Sequence, residues 1–278
     1  MAYSKTKWVV STDLDGTLLD HHNYRWSAAE PALSRLKQLD IPVIFNTSKT
    51  LQEVKHLAAE MSLSEQPLII ENGSAIYFQK EQRLVEFGVK RGELVTWLRQ
   101  QVHDHGYQFE CYSDWSVQHI MDATGLDRVS AQASANKHYS EPFLWHDTLE
   151  RLAEFMSVAD LAGYKILRGG RFYHLQGKVN KATPLTWLRQ HLSELWAGYD
   201  ELAVIALGDN QNDVDMLNVA DYPICIKSPV AVFPELALRS DRQAPIRFST
   251  AFGPEGWNEQ IQRLLNELKL ETEEVLHG

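Results

Sequence analysis

Short runs of consecutive apolar residues alternate along this chain with stretches whose apolar positions recur every three or four residues. That is the pattern of a parallel sheet covered by helices on both faces. Lys7–Asp13 reads as the first strand, centred on Trp8-Val9-Val10, and Ile41–Asn46 and Pro67–Ile70 read as the next two. Between the first two, Ser27–Leu39 predicts a helix: Ser27 can cap it, Pro31 suits its first turn, and Leu33, Leu36 and Leu39 form one apolar face. Thr47-Ser48-Lys49-Thr50 leads into a second helix ending near Met61. Glu71-Asn72-Gly73 carries a turn signal, and Ala75–Phe78 reads as a return strand.

From Leu84 to Leu167 the rhythm changes. Helical patterns over Glu93–His103, Asp114–Ala123, Leu126–Ala135 and Thr148–Leu161 interleave with extended pieces at Tyr107–Cys111, Tyr139–Trp145 and Tyr164–Leu167, followed by Arg171–His174. Gly169-Gly170 and Gly177 mark turns. This mixture predicts an α+β module, residues 84–168, inserted into a core of residues 1–83 and 169–278. The parallel rhythm then resumes. A helix is expected over Lys181–Leu195, its start limited by Pro184, then a near-continuous apolar strand at Leu202–Leu207, central for that reason. A helix at Val214–Val219, a strand at Tyr222–Ile226 and a helix at Trp257–Leu270 complete the pattern. The fold class is α/β: a doubly wound, Rossmann-like parallel sheet with an inserted α+β module.

Composition narrows the partners. With 278 residues, 44% of them hydrophobic, the chain has material for a full core. A formal net charge of −10, from 37 acidic against 27 basic residues, argues against nonspecific nucleic-acid binding. Cys111 and Cys225 form no CxxC pattern and read as buried thiols in a reducing cytosol. No segment approaches the roughly 18 apolar residues of a membrane helix. The apolar stretch after Lys5 and Lys7 ends at Asp13, too early for a signal peptide. A soluble cytoplasmic protein is expected, with neither membrane nor nucleic acid as partner.

The chemistry concentrates at strand ends. Residues Thr12–Asp20 read TDLDGTLLD, so Asp13 and Asp15 stand two apart where a strand gives way to a turn at Gly16. The strand at Leu202–Leu207 ends in Gly208-Asp209-Asn210-Gln211-Asn212-Asp213. In open α/β sheets ligands bind beyond the carboxyl ends of the strands, so neighbouring strands would bring Asp13, Asp15, Asp209 and Asp213 together. Hard carboxylate oxygens in such a cluster suit Mg²⁺. Asp13, last on its strand, can attack a phosphate monoester as a nucleophile, and Asp15 can give and take the proton. Thr47 and Ser48 follow the second strand where helix N–H groups bind anions, and Lys181 can neutralise the phosphate. Each feature alone has a plainer reading. A DxD can be a solvated turn, Thr47 a helix cap, and Lys178 and Lys181 solvated lysines, with Lys178 a rival for the phosphate role. Neither acidic run has EF-hand spacing. The joint order of acids, hydroxyl, lysine and acids favours phosphoryl chemistry.

That order resembles the haloacid dehalogenase superfamily, through DLDGT (Asp13–Thr17), the strand-ending Thr47, Lys181 and GDNQND (Gly208–Asp213). The resemblance implies Asp13 as nucleophile and Asp15 as acid/base. It also implies Mg²⁺ held by Asp13, the Asp15 carbonyl and Asp209, with Asp213 in or beside the shell. The inserted module would be a substrate-selecting cap. TSKT (Thr47–Thr50), ENG (Glu71–Gly73), TGL (Thr124–Leu126), YSEPF (Tyr139–Phe143), GGRFYH (Gly169–His174) and GPEGW (Gly253–Trp257) look like the mannosyl-3-phosphoglycerate phosphatase family. A phosphorylated sugar-glycerate is then the expected substrate. Ser48, Lys49, Lys137, Arg168 and Arg171 are expected to bind its anionic groups, and His174 and Tyr139 its sugar hydroxyls, with a packed strand histidine as the other reading of His174. Two departures bear on the substrate: Asn180-Lys181-Ala182 replaces Asp-Lys-Gly, and Lys137 stands where an arginine is expected. A sucrose-6-phosphate phosphatase, a phosphosugar mutase and a metabolite-binding protein without catalysis are the alternatives.

Overall fold

The computed structural model describes residues 5–169, 171–237 and 244–270. Its elements, in chain order, begin with β1 (Thr6–Thr12), α1 (Glu30–Gln38), β2 (Val43–Asn46), α2 (Leu51–Glu60), β3 (Leu68–Ile70), β4 (Ala75–Phe78) and β5 (Arg83–Glu86). There follow α3 (Arg91–His105), β6 (Phe109–Cys111), α4 (Val117–Thr124), α5 (Arg128–Ala135), β7 (Ser140–Trp145), α6 (Leu149–Leu161), β8 (Tyr164–Gly169) and β9 (Phe172–Gly177). The last are α7 (Thr183–Gln190), α8 (Leu192–Leu195), β10 (Glu201–Gly208), α9 (Val214–Val219), β11 (Tyr222–Lys227), β12 (Arg247–Phe252) and α10 (Gly253–Glu267). The chain divides into two compact units: Met1–Thr47, Glu65–Ile69 and Asn180–Gly278 form the first, and Ser48–Ser64 and Ile70–Val179 the second.

The first unit is the Rossmann-like core. Its strands are parallel in the order β12-β11-β10-β1-β2-β3. β10 is buried from Leu202 to Gly208, as its unbroken apolar run requires of a strand covered on both faces. It pairs with β1 in register from Thr6↔Glu201 to Thr12↔Leu207, which ends both strands at one level. α10 packs through Trp257, Gln260, Ile261, Leu264 and Leu265, all buried.

Several expectations are corrected here. Ser27 does not cap α1; Ser27–Ala29 is a 3-10 turn ahead of it, and no side chain caps either start. The helix expected over Lys181–Leu195 is two: α7 ends at Gln190, and His191, at φ −110° and ψ 20°, breaks it before α8. Lys181 precedes α7 in a turn whose backbone Asn180 fixes, accepting N–H bonds from Ala182 and Thr183 at 3.0 and 3.1 Å. β12 was not anticipated, and α10 begins at Gly253, four residues before the expected Trp257.

The second unit contains the antiparallel hairpin β4–β5, whose second strand was not anticipated, and an antiparallel sheet ordered β6-β7-β9-β8. Its core is aromatic: Tyr107, Phe143, Phe155 and Tyr164 pack with Leu94 and Leu98. Pro142 is tolerated inside β7 because β6 pairs only with Phe143–Trp145, which leaves the proline opposite β9 alone. This unit runs to Val179 and takes in β9, which pairs with both β7 and β8. The turn residue Gly170 lies outside the described residues. Glu71-Asn72-Gly73 makes a single tight turn with φ of 44°, 56° and 87°. The buried Glu71 carboxylate accepts the backbone N–H groups of His138 and Tyr139 and the Ser140 hydroxyl, tying the turn to the start of β7. No helix among the described residues is long and apolar enough to cross a membrane.

Candidate active site

The parallel pairing of β1 and β10 brings the acids at their ends together within the first unit. The Asp13 N–H donates to the Leu207 carbonyl at 2.9 Å, continuing the strand register by one residue. The chain then turns: Thr17 and Leu19 N–H groups both donate to the Leu14 carbonyl, and Gly16 N–H to Leu19. Gly16 sits at φ +80°, and a Cβ there would lie 2.7 Å from Asp209 Oδ2. Only glycine lets the turn pass this close to the second acidic loop. Thr17 Oγ1 donates to Asp209 Oδ1 at 3.2 Å and orients that carboxylate.

Past β10, Asp213 folds back on its own loop. Its Oδ2 accepts the N–H groups of Asp209 and Asn210, each at 3.1 Å. A Cβ on Gly208 would fall 2.5 Å from Asp213 Cβ, so this fold-back also needs glycine. Lys181, fully buried, donates to Asp13 Oδ1 at 2.7 Å and to Asp213 Oδ1 at 2.6 Å. Lys178 is exposed and pairs with Asp160 at 2.7 Å. Of the two rival lysines, Lys181 is therefore the one placed among the acids.

Asp13, Asp209 and Asp213 each offer a carboxylate oxygen within 4.8 Å of the others. Burial pushes the Asp13 carboxyl up to about 7, helped by the Asp213 charge and opposed by Lys181. Burial and the Asp13 charge push Asp209 up to about 6. Burial likewise raises Asp213, against the pull of Lys181. Burial alone would lower Lys181; the charges of Asp13 and Asp213 reverse this and hold it above the ordinary lysine value. With all three acids ionised the carboxylates and the Lys181 ammonium sum to −2, a charge that burial resists and a divalent cation would offset, and the oxygen-only donors fit a hard one.

Thr47 is buried at the end of β2, its N–H donating to the Ile69 carbonyl at 3.1 Å. It is not a helix cap. That place belongs to Thr50, which forms a capping box with Glu53 at the start of α2. Asp15 follows on the turn, half-buried.

The expected substrate residues Ser48, Lys49, Lys137, Arg168, Arg171 and His174 all belong to the second unit. Lys137 Nζ donates to the Ser48 carbonyl at 3.0 Å, and the Lys49 carbonyl accepts the Glu71 N–H at 3.1 Å. Burial pushes His174 down to about 3, and the nearby Lys137 charge adds to this, so His174 is neutral at physiological pH. Arg168 lies exposed over the Tyr173 ring at 5.8 Å, and Arg171 is exposed with its charge felt at Tyr112. Tyr139 is not available to a sugar as expected: it is fully buried and its hydroxyl donates to Glu86.

Sequence reasoning did not reach the buried groups that support these side chains. Asn46 Nδ2 donates to the Lys181 carbonyl at 2.8 Å, holding the lysine's backbone to the end of β2. Thr17 and Glu71 stand within the DLDGT and ENG motifs, which by themselves assign them no role. Their partners lie 192 and about 68 residues away, which no local pattern encodes.

The chain matches haloacid dehalogenase-like hydrolases over residues 10–174 and 170–231. It is 32% identical to a glucosyl-3-phosphoglycerate/mannosyl-3-phosphoglycerate phosphatase of Persephonella marina, covering 94% of this chain and 98% of the relative. A protein of the same name from Methanococcoides burtonii is 30% identical, covering 93% and 97%. The fold is similar to the crystal structure of a haloacid dehalogenase-like hydrolase from Bacteroides thetaiotaomicron, with a TM-score of 0.65 over 92% of this chain and 98% of that one at 17% identity.

Proposed function

The chain belongs to the haloacid dehalogenase-like hydrolases and is a phosphatase of phosphate monoesters, and from that premise we propose that it hydrolyses mannosyl-3-phosphoglycerate or its glucosyl analogue in a Mg²⁺-dependent reaction through an aspartyl-phosphate at Asp13. The observation that carries this reading is the buried Lys181 ammonium bridging Asp13 and Asp213 at the end of β1, with Asp209 in the same cluster.

Asp13, Asp209 and the Asp15 carbonyl would hold the cation, with Asp213 beside them. Bound there, Mg²⁺ supplies positive charge against the phosphoryl oxygens. Asp13 attacks phosphorus; the bond from phosphorus to its carboxylate oxygen forms as the ester P–O bond breaks. Asp15 protonates the departing glycerate oxygen, then takes a proton from the water that attacks the phosphoenzyme, which releases phosphate and restores Asp13. Lys181 keeps Asp13 ionised and aimed, and Thr47 holds a phosphoryl oxygen. Ser48, Lys49, Lys137, Arg168, Arg171 and His174 are assigned to the glycerate carboxylate and the sugar, with the second unit acting as cap. The sequence and the relatives' names together support the sugar-glycerate over sucrose 6-phosphate.

Phosphate release across a panel of glycosyl-3-phosphoglycerates, sucrose 6-phosphate and hexose phosphates tests this. The sugar-glycerates are expected to exceed the others in kcat/KM by at least about tenfold. Release should stop with EDTA and return with Mg²⁺. Preference for sucrose 6-phosphate, or full turnover in EDTA, would overturn the proposal.

A further inference from the structure

We infer that Trp257, on the C-terminal helix α10, is a positioning residue for the nucleophile, acting through Thr12 on the backbone of Asp13. The inference rests on the assignment of Asp13 as nucleophile. Trp257 is fully buried, and its indole Nε1–H donates to Thr12 Oγ1 at 3.1 Å. Thr12, also fully buried, donates from Oγ1 to the Asp13 carbonyl at 2.7 Å.

The direction of this relay follows from the donor inventory. An indole N–H can only donate, so it occupies a lone pair of the threonine hydroxyl. The single hydroxyl proton is then left for the Asp13 carbonyl. On the other side, the Asp13 N–H is committed to Leu207 on β10 at 2.9 Å. Both peptide groups of Asp13 are thereby pinned, and its side chain leaves a fixed Cα. In-line attack needs such fixing, because displacing a reacting atom by about 1 Å can cost on the order of 100-fold in rate.

Two further observations point the same way. A buried position on a central strand is served at least as well by valine, which brings no polar group to satisfy, yet a hydroxyl stands at residue 12. The same helix also backs the turn that follows Asp13: a Cβ on Gly253 would lie 3.7 Å from the Gly16 carbonyl oxygen and 3.8 Å from that of Leu19. α10 therefore meets the nucleophile's strand end and its turn at separate points.

The test compares Thr12→Val, Trp257→Phe, the double variant and Thr12→Ser, with Asp13→Asn in parallel. Tm, kcat and KM are measured on one phosphate monoester. Thr12→Val leaves the indole N–H buried without an acceptor and should lower Tm by about 3–6 °C. The double variant leaves no indole N–H unpaired but keeps the cavity of the smaller ring, so its Tm should match that of Trp257→Phe alone rather than fall by the sum of the two single changes. Its kcat should remain about tenfold low, with KM within about twofold of wild type. Thr12→Ser should keep kcat. A bond that only holds the core together would leave kcat unchanged in every variant that stays folded at the assay temperature; a double variant with wild-type kcat overturns the inference. Should the double variant not fold, Trp257→Phe alone decides: lowered kcat at unchanged KM supports the role, and unchanged kcat refutes it. Wild-type turnover in Asp13→Asn would instead defeat the nucleophile assignment, whatever the Trp257 variants do.

Discussion

Replacing Asp13 by asparagine should abolish turnover while leaving the fold intact. The amide has no anionic oxygen with which to attack phosphorus, and losses of about 1,000-fold or more are expected when a covalent nucleophile is removed. Stability should not fall with activity. The wild-type carboxyl is pushed up to about 7 by burial and by Asp213, which means that the folded state resists its charge. The amide oxygen can still accept from Lys181, and Lys181 keeps Asp213 as its ionic partner. Thermal unfolding at or above the wild-type Tm, beside phosphate release reduced to background, is the expected pair of results. Turnover at the wild-type rate would show that the nucleophile is another group.

Lys181→Met should cost both activity and stability. The methionine fills similar volume but leaves Asp13 and Asp213 buried without their cation. Breaking a buried ion pair from one side typically costs about 3–5 kcal/mol. The deficit should depend on pH with a definite sign. Asp13 and Asp213 have carboxyls raised above the ordinary 3.8, Asp13 to about 7, and losing Lys181 raises them further. Between the unfolded and folded values the native state binds more protons than the unfolded chain, so stability rises as pH falls through that window. Urea unfolding at pH 8 and pH 5.5 should show the variant's deficit shrinking at the lower pH. A deficit independent of pH would mean that lost packing, not charge, is the cause. Turnover should fall by about 1,000-fold, since the phosphoryl charge and the nucleophile lose one cation at once.

The acids were legible because strand ends are. Trp8-Val9-Val10 and Leu202–Leu207 announce buried parallel strands, and carboxylates where such strands stop have few reasons to be there without a cation. Once β1 and β10 are neighbours, their registers bring Asp13 and Asp209 to one level. The lysine was also legible, though as one of two; its burial and its bonds to Asp13 and Asp213 separate Lys181 from Lys178, which pairs with Asp160. What the sequence concealed is of two kinds. Arg83–Glu86 and Arg247–Phe252 are short strands with half their residues exposed, so their patterns resemble loops. The Asn46 bond to Lys181 and the Trp257 bond to Thr12 span 135 and 245 residues, and their residue types are equally at home in a core. Tyr139 misled for a related reason: a tyrosine in a motif near expected ligands looks available, until Glu86, 53 residues away, takes its hydroxyl.

The covalent step at Asp13 is open to direct measurement. A single turnover quenched in acid and reduced with borohydride converts an aspartyl-phosphate to homoserine, which peptide mass spectrometry places in the sequence. Homoserine at position 13, absent from Asp13→Asn and from enzyme without substrate, is the predicted result. Homoserine at Asp15, Asp209 or Asp213 with none at position 13 would contradict it.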